Sequence, residues 1–278
     1  MTISERTYFL TKLREELKIF YYKNNISGKN PLDMNDKDML VFIDKHKLEL
    51  IYASCLNDMV LKFEKIKNKF KEVQIPEEVK EILKRLMKFS PNSYLVGGCI
   101  RDIILGETPK DWDFVTDIPY EKLKEIFSVY SFKETGTEFL VFNLKFVSGE
   151  YEIANFRKDS LTSDGRRPDS VEVGTIEEDT LRRDFTVNNI CYNFNELYIS
   201  VQSVDDILTR TLRFVGNPEE RLKEDFLRGW RAYRLASTKH LTIEKNTLKA
   251  IRRNWENIYK ASNPHRVMME IEKMVGGI

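Results

Sequence analysis

The sequence predicts an α+β protein in which a mixed sheet with helices lies between two helical segments. Three observations predict this. Residues 1 to about 90 are Lys/Glu-rich, with apolar residues at three- and four-residue steps, the period of amphipathic helices. From SYLVGG to about residue 200, short runs rich in β-branched and aromatic residues alternate with glycine, proline and charged turns, which is a strand signature. From residue 217 the helical period returns and holds to the last residues. The expected domains are therefore a helical extension at 1–90, a sheet-bearing head at 91–205 and a helical neck at 206–278.

In the first segment, LNDMVLKFEKIKNKFKEV and PEEVKEILKRLMKF are expected helices that pack by one face and carry no chemistry. GKNPLD breaks the pattern near residue 30, and Pro76 is expected as the first residue of a new helix. In the middle segment the expected strands are YLVGG, WDFVT, FLVFNLKFV, YEIANF, SVEVGT and NELYISV. Helices are expected at CIRDIILG, YEKLKEIF and LRRDFTVNNICY. The last segment reads as helices over PEERLKEDFLRGWRAYRLAS, EKNTLKAIRRNWENIYK and PHRVMMEIEKM, and there are no internal repeats.

Composition excludes several function classes. The 278 residues hold 45 basic and 44 acidic side chains, so any nucleic-acid site must come from local clustering. Three cysteines, Cys55, Cys99 and Cys191, are widely spaced, which speaks against a disulfide framework or a zinc site and for buried inert thiols in a reducing cytoplasm. The three histidines share no ligand spacing, leaving no basis for a His-metal site or a Ser-His-Asp triad. No apolar run approaches the roughly 20 residues that span a bilayer, and no membrane partner is expected.

The chemistry concentrates in YLVGGCIRDIILGETPKDWDFVTD, residues 94–117. Alternate strand residues share a face, so Asp111 and Asp113 are expected to project together while Trp112 points into the opposite layer. Two crowded carboxylates stay ionised when cations sit between them, and oxygen donors suit Mg²⁺. A metal pair about 4 Å apart can clamp the attacking and leaving oxygens of a phosphoryl transfer. Upstream, Gly97 and Gly98 let a phosphate approach the backbone at a helix start, and Arg101 can fork onto its oxygens. A DxD pair alone would read as a solvated strand end. The full pattern Gly97, Gly98, Arg101, Asp102, Leu105, Gly106, Asp111, Asp113 and Thr116 is far more specific.

With these residues in place, the stretch resembles motif A of the class II tRNA nucleotidyltransferases (CCA-adding enzymes) and the related bacterial poly(A) polymerases, within the polymerase-β-like superfamily. The resemblance continues in order through YEIANFR (151–157), DGRRPDSVEVGTIEEDTLRRDFTVNNICYN (164–193), LRFVGNPEERLKEDFLRGWRAYRLA (212–236) and, more weakly, NPHRVMMEIEKM (263–274). It implies a polymerase-β-like head followed by a nucleotide-selecting neck. It also implies catalytic roles for Asp111, Asp113 and Glu152, with Mg²⁺ held by Asp111 and Asp113. Glu150 shares the face of Glu152, so that pair can also be a solvated one. Gly97, Gly98, Arg101, Asp102, Arg182, Arg183, Asp184 and Asn188 are implied around the nucleotide. Arg182, Arg183 and Asp184 are expected at a helix start, where Asp184 meets a ribose hydroxyl, caps the helix, or does both. Asp225, Arg228, Arg231 and Arg234 at three-residue steps are expected along one helical stripe. A carboxylate and a guanidinium one turn apart can match the Watson–Crick edge of a base. The resemblance gives that role to Asp225 and Arg228, and places Arg231 and Arg234 toward phosphates.

Two departures stand out. YISVQSVDDILTRTLRFVG has Ile199, Gln202 and Ser203 where the family carries an Asp and a Gly pair thought to act as a hinge, and Gly229 interrupts the selector helix where Leu is usual. The family's RNA-gripping domains would follow residue 278, while about 90 residues precede the head. The expectation is that the extension replaces the RNA grip, that a partner or an oligomer supplies it, or that the RNA substrate is small. The function implied is template-independent addition of C and/or A to the tRNA 3′ end from CTP and ATP. Alternatives are a poly(A) polymerase, a CC-only or A-only adder, or a non-catalytic RNA-binding protein on the same fold.

Overall fold

In a computed structural model of the chain, described over residues 1–133, 141–146, 149–159 and 171–276, two compact units divide between Glu72 and Val73. The division falls earlier than the residue-90 boundary expected from the sequence. Among the described residues no helix is long and apolar enough to cross a membrane.

The first unit holds three helices, α1 (Ile3–Lys23), α2 (Asp36–His46) and α3 (Glu49–Glu72). Thr2 and Glu5 form a reciprocal capping box at the start of α1, and Asn35 caps α2. Pro31–Asp33 in the GKNPLD stretch makes a short 3-10 turn, as that break predicts. Tyr8, Leu13, Leu17, Phe63 and Ile66 are almost fully buried where α1 and α3 pack.

The second unit opens with α4 (Glu77–Met87), preceded by Pro76, which stands one residue before the helix instead of inside it. Val79, Ile82, Leu83 and Leu86 bury one face of α4 against β1 (Ser93–Val96), which is why this helix belongs with the sheet. Next come α5 (Gly98–Leu105), β2 (Asp113–Thr116), α6 (Tyr120–Ile126), β3 (Ser131–Lys133), β4 (Val141–Phe146) and β5 (Gly149–Asn155). They are followed by β6 (Arg157–Asp159), β7 (Val171–Val173), α7 (Ile176–Arg182), β8 (Ile190–Tyr192), β9 (Leu197–Ile199) and α8 (Val201–Leu208). The remaining elements are β10 (Thr211–Leu212), α9 (Pro218–Glu224), α10 (Leu227–Thr238), β11 (Thr242–Ile243), α11 (Lys245–Arg253), α12 (Trp255–Ala261) and α13 (Pro264–Val275).

Seven strands form one mixed sheet in the order β3-β4-β5-β2-β1-β8-β9. β2 and β5 run parallel and the other neighbours are antiparallel. The middle strands β1 and β2 read as nearly continuous apolar runs, SYLV and FVT, because both faces are covered. This is the α+β architecture, a mixed sheet with helices, that the sequence predicts.

The helix expected over residues 181–192 does not form. A capping box at Thr175 and Glu178 starts α7 earlier, and the helix stops at Arg182. Phe185 then turns extended to stack on Phe214, with ring centroids 5.0 Å apart. A 3-10 turn over Thr186–Asn188 follows, and Ile190–Tyr192 joins the sheet as β8. Local helical signal loses here to aromatic packing between residues nearly thirty positions apart.

Gly229 lies where α10 meets α12. A Cβ there would stand 2.7 Å from Ile258 Cδ1, 3.2 Å from its Cγ2 and 3.3 Å from its Cγ1, and Ile258 is fully buried. Alanine gains about 1 kcal/mol of helix propensity over glycine. A stiff β-branched neighbour crowding with three atoms outweighs that gain. Gly229→Ala is expected to lower thermal stability by about 1–2 kcal/mol, and Ile258→Val in the same chain to recover part of it, both read by thermal unfolding.

Candidate active site

β1 runs into Gly97, whose φ of +77° lies in the left-handed region that favours glycine. A Cβ at Gly97 would face Arg183 Nη1 at 3.6 Å and the Asn188 carbonyl at 3.9 Å. The turn thus leads into α5 with a guanidinium close beside the backbone. At its other end α5 closes on Gly106, again at positive φ, and KDWD leads back into β2.

Trp112 is buried, Asp113 is half-buried and Asp111 is exposed, matching the expected alternation, although Asp111 lies just before the strand. Register supplies the third carboxylate. Asp113 on β2 pairs with Glu152 on the parallel strand β5, so the two project from one face. Glu150 sits two residues away and pairs with Lys145 at 3.4 Å, separating two carboxylates that sequence alone left equivalent. Burial, then Glu152 and Asp111 beside it, push Asp113 up to about 6, with partial relief from Arg183. Among the described residues no three His, Cys, Asp or Glu side chains form a ready-made metal cage. Mg²⁺ commonly takes one or two carboxylates and completes its shell with water and phosphate oxygens. An unneutralised all-oxygen cluster around Asp113 fits that habit.

Arg182, Arg183 and Asp184 stand at the end of α7, not at a helix start. Asp179, with no exposed surface, gathers both arginines: Arg182 Nε donates to Oδ1 at 3.0 Å and Arg183 Nη2 to Oδ2 at 2.7 Å. Burial disfavours the Asp179 carboxylate, but the two guanidiniums hold it below the usual carboxylate range. Asp184 does not cap a helix. Its Oδ1 accepts from the Phe185 N–H at 2.8 Å and from Asn188 Nδ2 at 3.0 Å, and its Oδ2 pairs with Arg231 at 2.9 Å. Burial works against this charge too, and Arg231 with those hydrogen bonds keeps it lowered. Arg101 is committed inside the protein: Nε donates to Asp102 Oδ1 at 2.8 Å and Nη1 to Asn188 Oδ1 at 2.6 Å. Its expected fork onto phosphate is therefore directed at a neighbouring carboxylate.

The expected four-residue stripe is broken at its first member. Asp225 takes extended backbone between α9 and α10, and its Oδ1 accepts the Leu227 N–H at 3.0 Å as an Asx turn does. Its Oδ2 accepts from Arg266 of α13 at 3.2 Å. Arg228 on α10 instead bonds Glu224 and the Arg221 carbonyl, and also reaches the Arg182 carbonyl at 3.4 Å. Asp225 and Arg228 thus hold separate partners, not each other. Arg234 pairs with Glu270 of α13.

A cleft of about 710 Å³ brings Gly98, Arg101, Asp102, Asp111, Asp113, Asn188, Arg231 and Arg234 together. Gly97, Glu152, Arg182, Arg183, Asp184, Asp225 and Arg228 are not among its lining residues. Lys110, Lys239 and Lys273 also line it, and sequence reading missed all three. Lys239 follows the end of α10 in STKHL, where no periodicity marks it. Asp179 was also missed, though its spacing three and four residues before two arginines was a usable signal.

The mixed sheet, the glycine turn and the paired aspartates define a polymerase-β-like nucleotidyltransferase head. Residues 93–213 match the family described as the poly A polymerase head domain. The chain is 36% identical over 222 residues to a CCA-adding enzyme of Lactococcus lactis subsp. cremoris, covering 78% of this chain and 53% of that protein. It superposes on the crystal structure of the Bacillus stearothermophilus CCA-adding enzyme in complex with CTP with a TM-score of 0.63 at 28% identity, covering 73% of this chain and 50% of the other. A tRNA nucleotidyltransferase complexed with a primer tRNA and an incoming ATP analog gives a TM-score of 0.54 at 25% identity, covering 65% and 52%. Over this head the chain is similar to the CCA-adding enzymes and to the poly A polymerase head family. It spans about half the length of the relatives it matches.

Proposed function

We propose that the protein is a template-independent, cytoplasmic nucleotidyltransferase that adds C and/or A residues from CTP and ATP to the 3′ end of tRNA. The observation that carries this reading is the cleft in which the glycine turn and Asp111–Asp113 meet the arginines of α10. The RNA 3′-hydroxyl oxygen attacks the α-phosphorus as its proton passes to water, the bond to the bridging oxygen breaks, and pyrophosphate leaves with the displaced charge. Asp111 and Asp113, with Glu152 alongside, would hold Mg²⁺, which when bound lowers the pKa of the hydroxyl and takes charge from the leaving group. The backbone at Gly97 and Gly98 receives the triphosphate beside Arg183. Asp184 offers a ribose hydroxyl an ionised acceptor, and a deoxyribose would leave that buried acceptor short of a partner. To read a base edge, Asp225 exchanges Arg266 for the base and Arg228 exchanges Glu224. Nucleotide entry is therefore coupled to rearrangement of α10 against α9 and α13.

Purified protein with Mg²⁺, single radiolabelled nucleotides and tRNA transcripts ending before CCA, CA or A tests the reading. Stepwise addition of C, then C, then A is expected. Long A tails would move the assignment to a poly(A) polymerase. An absence of incorporation on every RNA, unchanged by Asp111→Ala and Asp113→Ala, would leave only an RNA-binding role.

A further inference from the structure

A continuous chain of hydrogen bonds, closed by one ion pair, leaves α10 and returns to it. Lys239, the residue that ends α10, donates from Nζ to Asp102 Oδ2 at 3.1 Å and to Glu107 Oε2 at 2.6 Å. Asp102 Oδ1 takes Arg101 Nε at 2.8 Å and lies 2.7 Å from its Nη2. Arg101 Nη1 donates to Asn188 Oδ1 at 2.6 Å, Asn188 Nδ2 donates to Asp184 Oδ1 at 3.0 Å, and Asp184 Oδ2 meets Arg231 of α10 at 2.9 Å. Arg101, Asp102, Asp184 and Asn188 are each under 10% exposed, so water does not readily replace a lost member.

The division of Asp102's two oxygens decides where Arg101 points. A guanidinium beside a carboxylate prefers to fork onto both oxygens. Lys239 occupies Oδ2, so Arg101 Nε and Nη2 both gather on Oδ1, an orientation of the guanidinium that sets Nη1 on Asn188. Without Lys239 the second oxygen opens, Nη2 moves from Oδ1 onto it, and the guanidinium pivots, drawing Nη1 off Asn188. The Asn188 amide then loses the bond that orients it, and Asp184 loses a donor.

We propose that Lys239 is a positioning residue for the nucleotide sugar. Acting through Asp102, Arg101 and Asn188, it holds the Asp184 carboxylate in the setting that selects ribose. The inference rests on the nucleotidyltransferase reading of the cleft, but it concerns a side chain about 55 residues beyond the one that would touch the sugar.

The test compares Lys239→Met, Lys239→Arg, Asp102→Asn and the Lys239→Met/Asp102→Asn pair, using CTP and dCTP as substrates and thermal unfolding as a folding check. Lys239→Met is expected to raise KM for CTP about tenfold with kcat within about threefold, and to lower the preference for CTP over dCTP about fivefold or more. Lys239→Arg restores both. The double variant is no worse than Asp102→Asn alone, because one pathway is cut once. Equal KM increases for CTP and dCTP would assign Lys239 to bulk charge only, and additive losses in the double variant would place it outside the Asp102 pathway. Either result overturns the proposal. If the wild type incorporates no nucleotide, the functional reading falls, and calorimetric binding of CTP and dCTP decides the remainder. Tighter CTP binding that Lys239→Met erases supports the relay, and equal or absent binding of both nucleotides overturns it.

Discussion

Asp111→Ala and Asp113→Ala each lower nucleotide incorporation by about three orders of magnitude or more, while the protein stays folded. The expectation follows from the register that sets Asp113 beside Glu152 and from the alternation that sets Asp111 nearby. The same crowding has a second, oppositely signed consequence. The folded protein holds the Asp113 proton up to about 6, against an ordinary value of 3.8. Stability linked to this group is fully present below about pH 4 and is lost as the pH rises through 6. Without divalent cations, wild type therefore loses on the order of 3 kcal/mol relative to Asp113→Asn across that window. At pH 7 the inactive Asn variant unfolds at the higher temperature, and added Mg²⁺ narrows the gap by stabilising wild type alone. Thermal unfolding at pH 4 and 7, with and without Mg²⁺, checks this. An Asn variant no more stable than wild type at pH 7 would show that the carboxylates do not crowd.

Asp179→Ala has the largest expected effect on stability. Asp179 has no exposed surface and is the shared anion for Arg182 and Arg183, and it also accepts the Arg157 backbone N–H at 3.3 Å. Its removal strands a largely buried Arg183 guanidinium next to Gly97, at a cost of about 3–5 kcal/mol. Asp179→Asn keeps the shape and an acceptor and costs less. Arg183→Met added to Asp179→Ala recovers part of the loss, because the stranded charge is gone. Denaturant unfolding of these four proteins and of Arg183→Met alone measures it, and additive losses in the double variant would contradict the shared-anion role.

The contrast between two segments explains how far the sequence carries. Residues 94–117 are legible because their signals are local. Glycine at positive φ marks the turn, apolar runs mark β1 and β2, and a two-residue period turns Trp112 inward and its aspartates outward. Residues 181–192 are illegible for the opposite reason. Phe185 follows Phe214, and the Thr186 hydroxyl donates to Asp206 at 2.8 Å, so distant partners override a helical local pattern. Asp225 fails similarly: its side chain closes an Asx turn onto Leu227 and meets Arg266, forty-one residues on, which ends the stripe that spacing alone draws.

The sequence by itself determined the α+β class, the glycine turn and the pair of aspartates, because each depends on dihedral preference and side-chain period within a few residues. Only the tertiary structure decided which glutamate stands beside Asp113, which carboxylate gathers Arg182 and Arg183, and that Lys239 closes a polar circuit back to α10. Those choices rest on strand register and on ion pairs between elements far apart in the chain, and no local period encodes them.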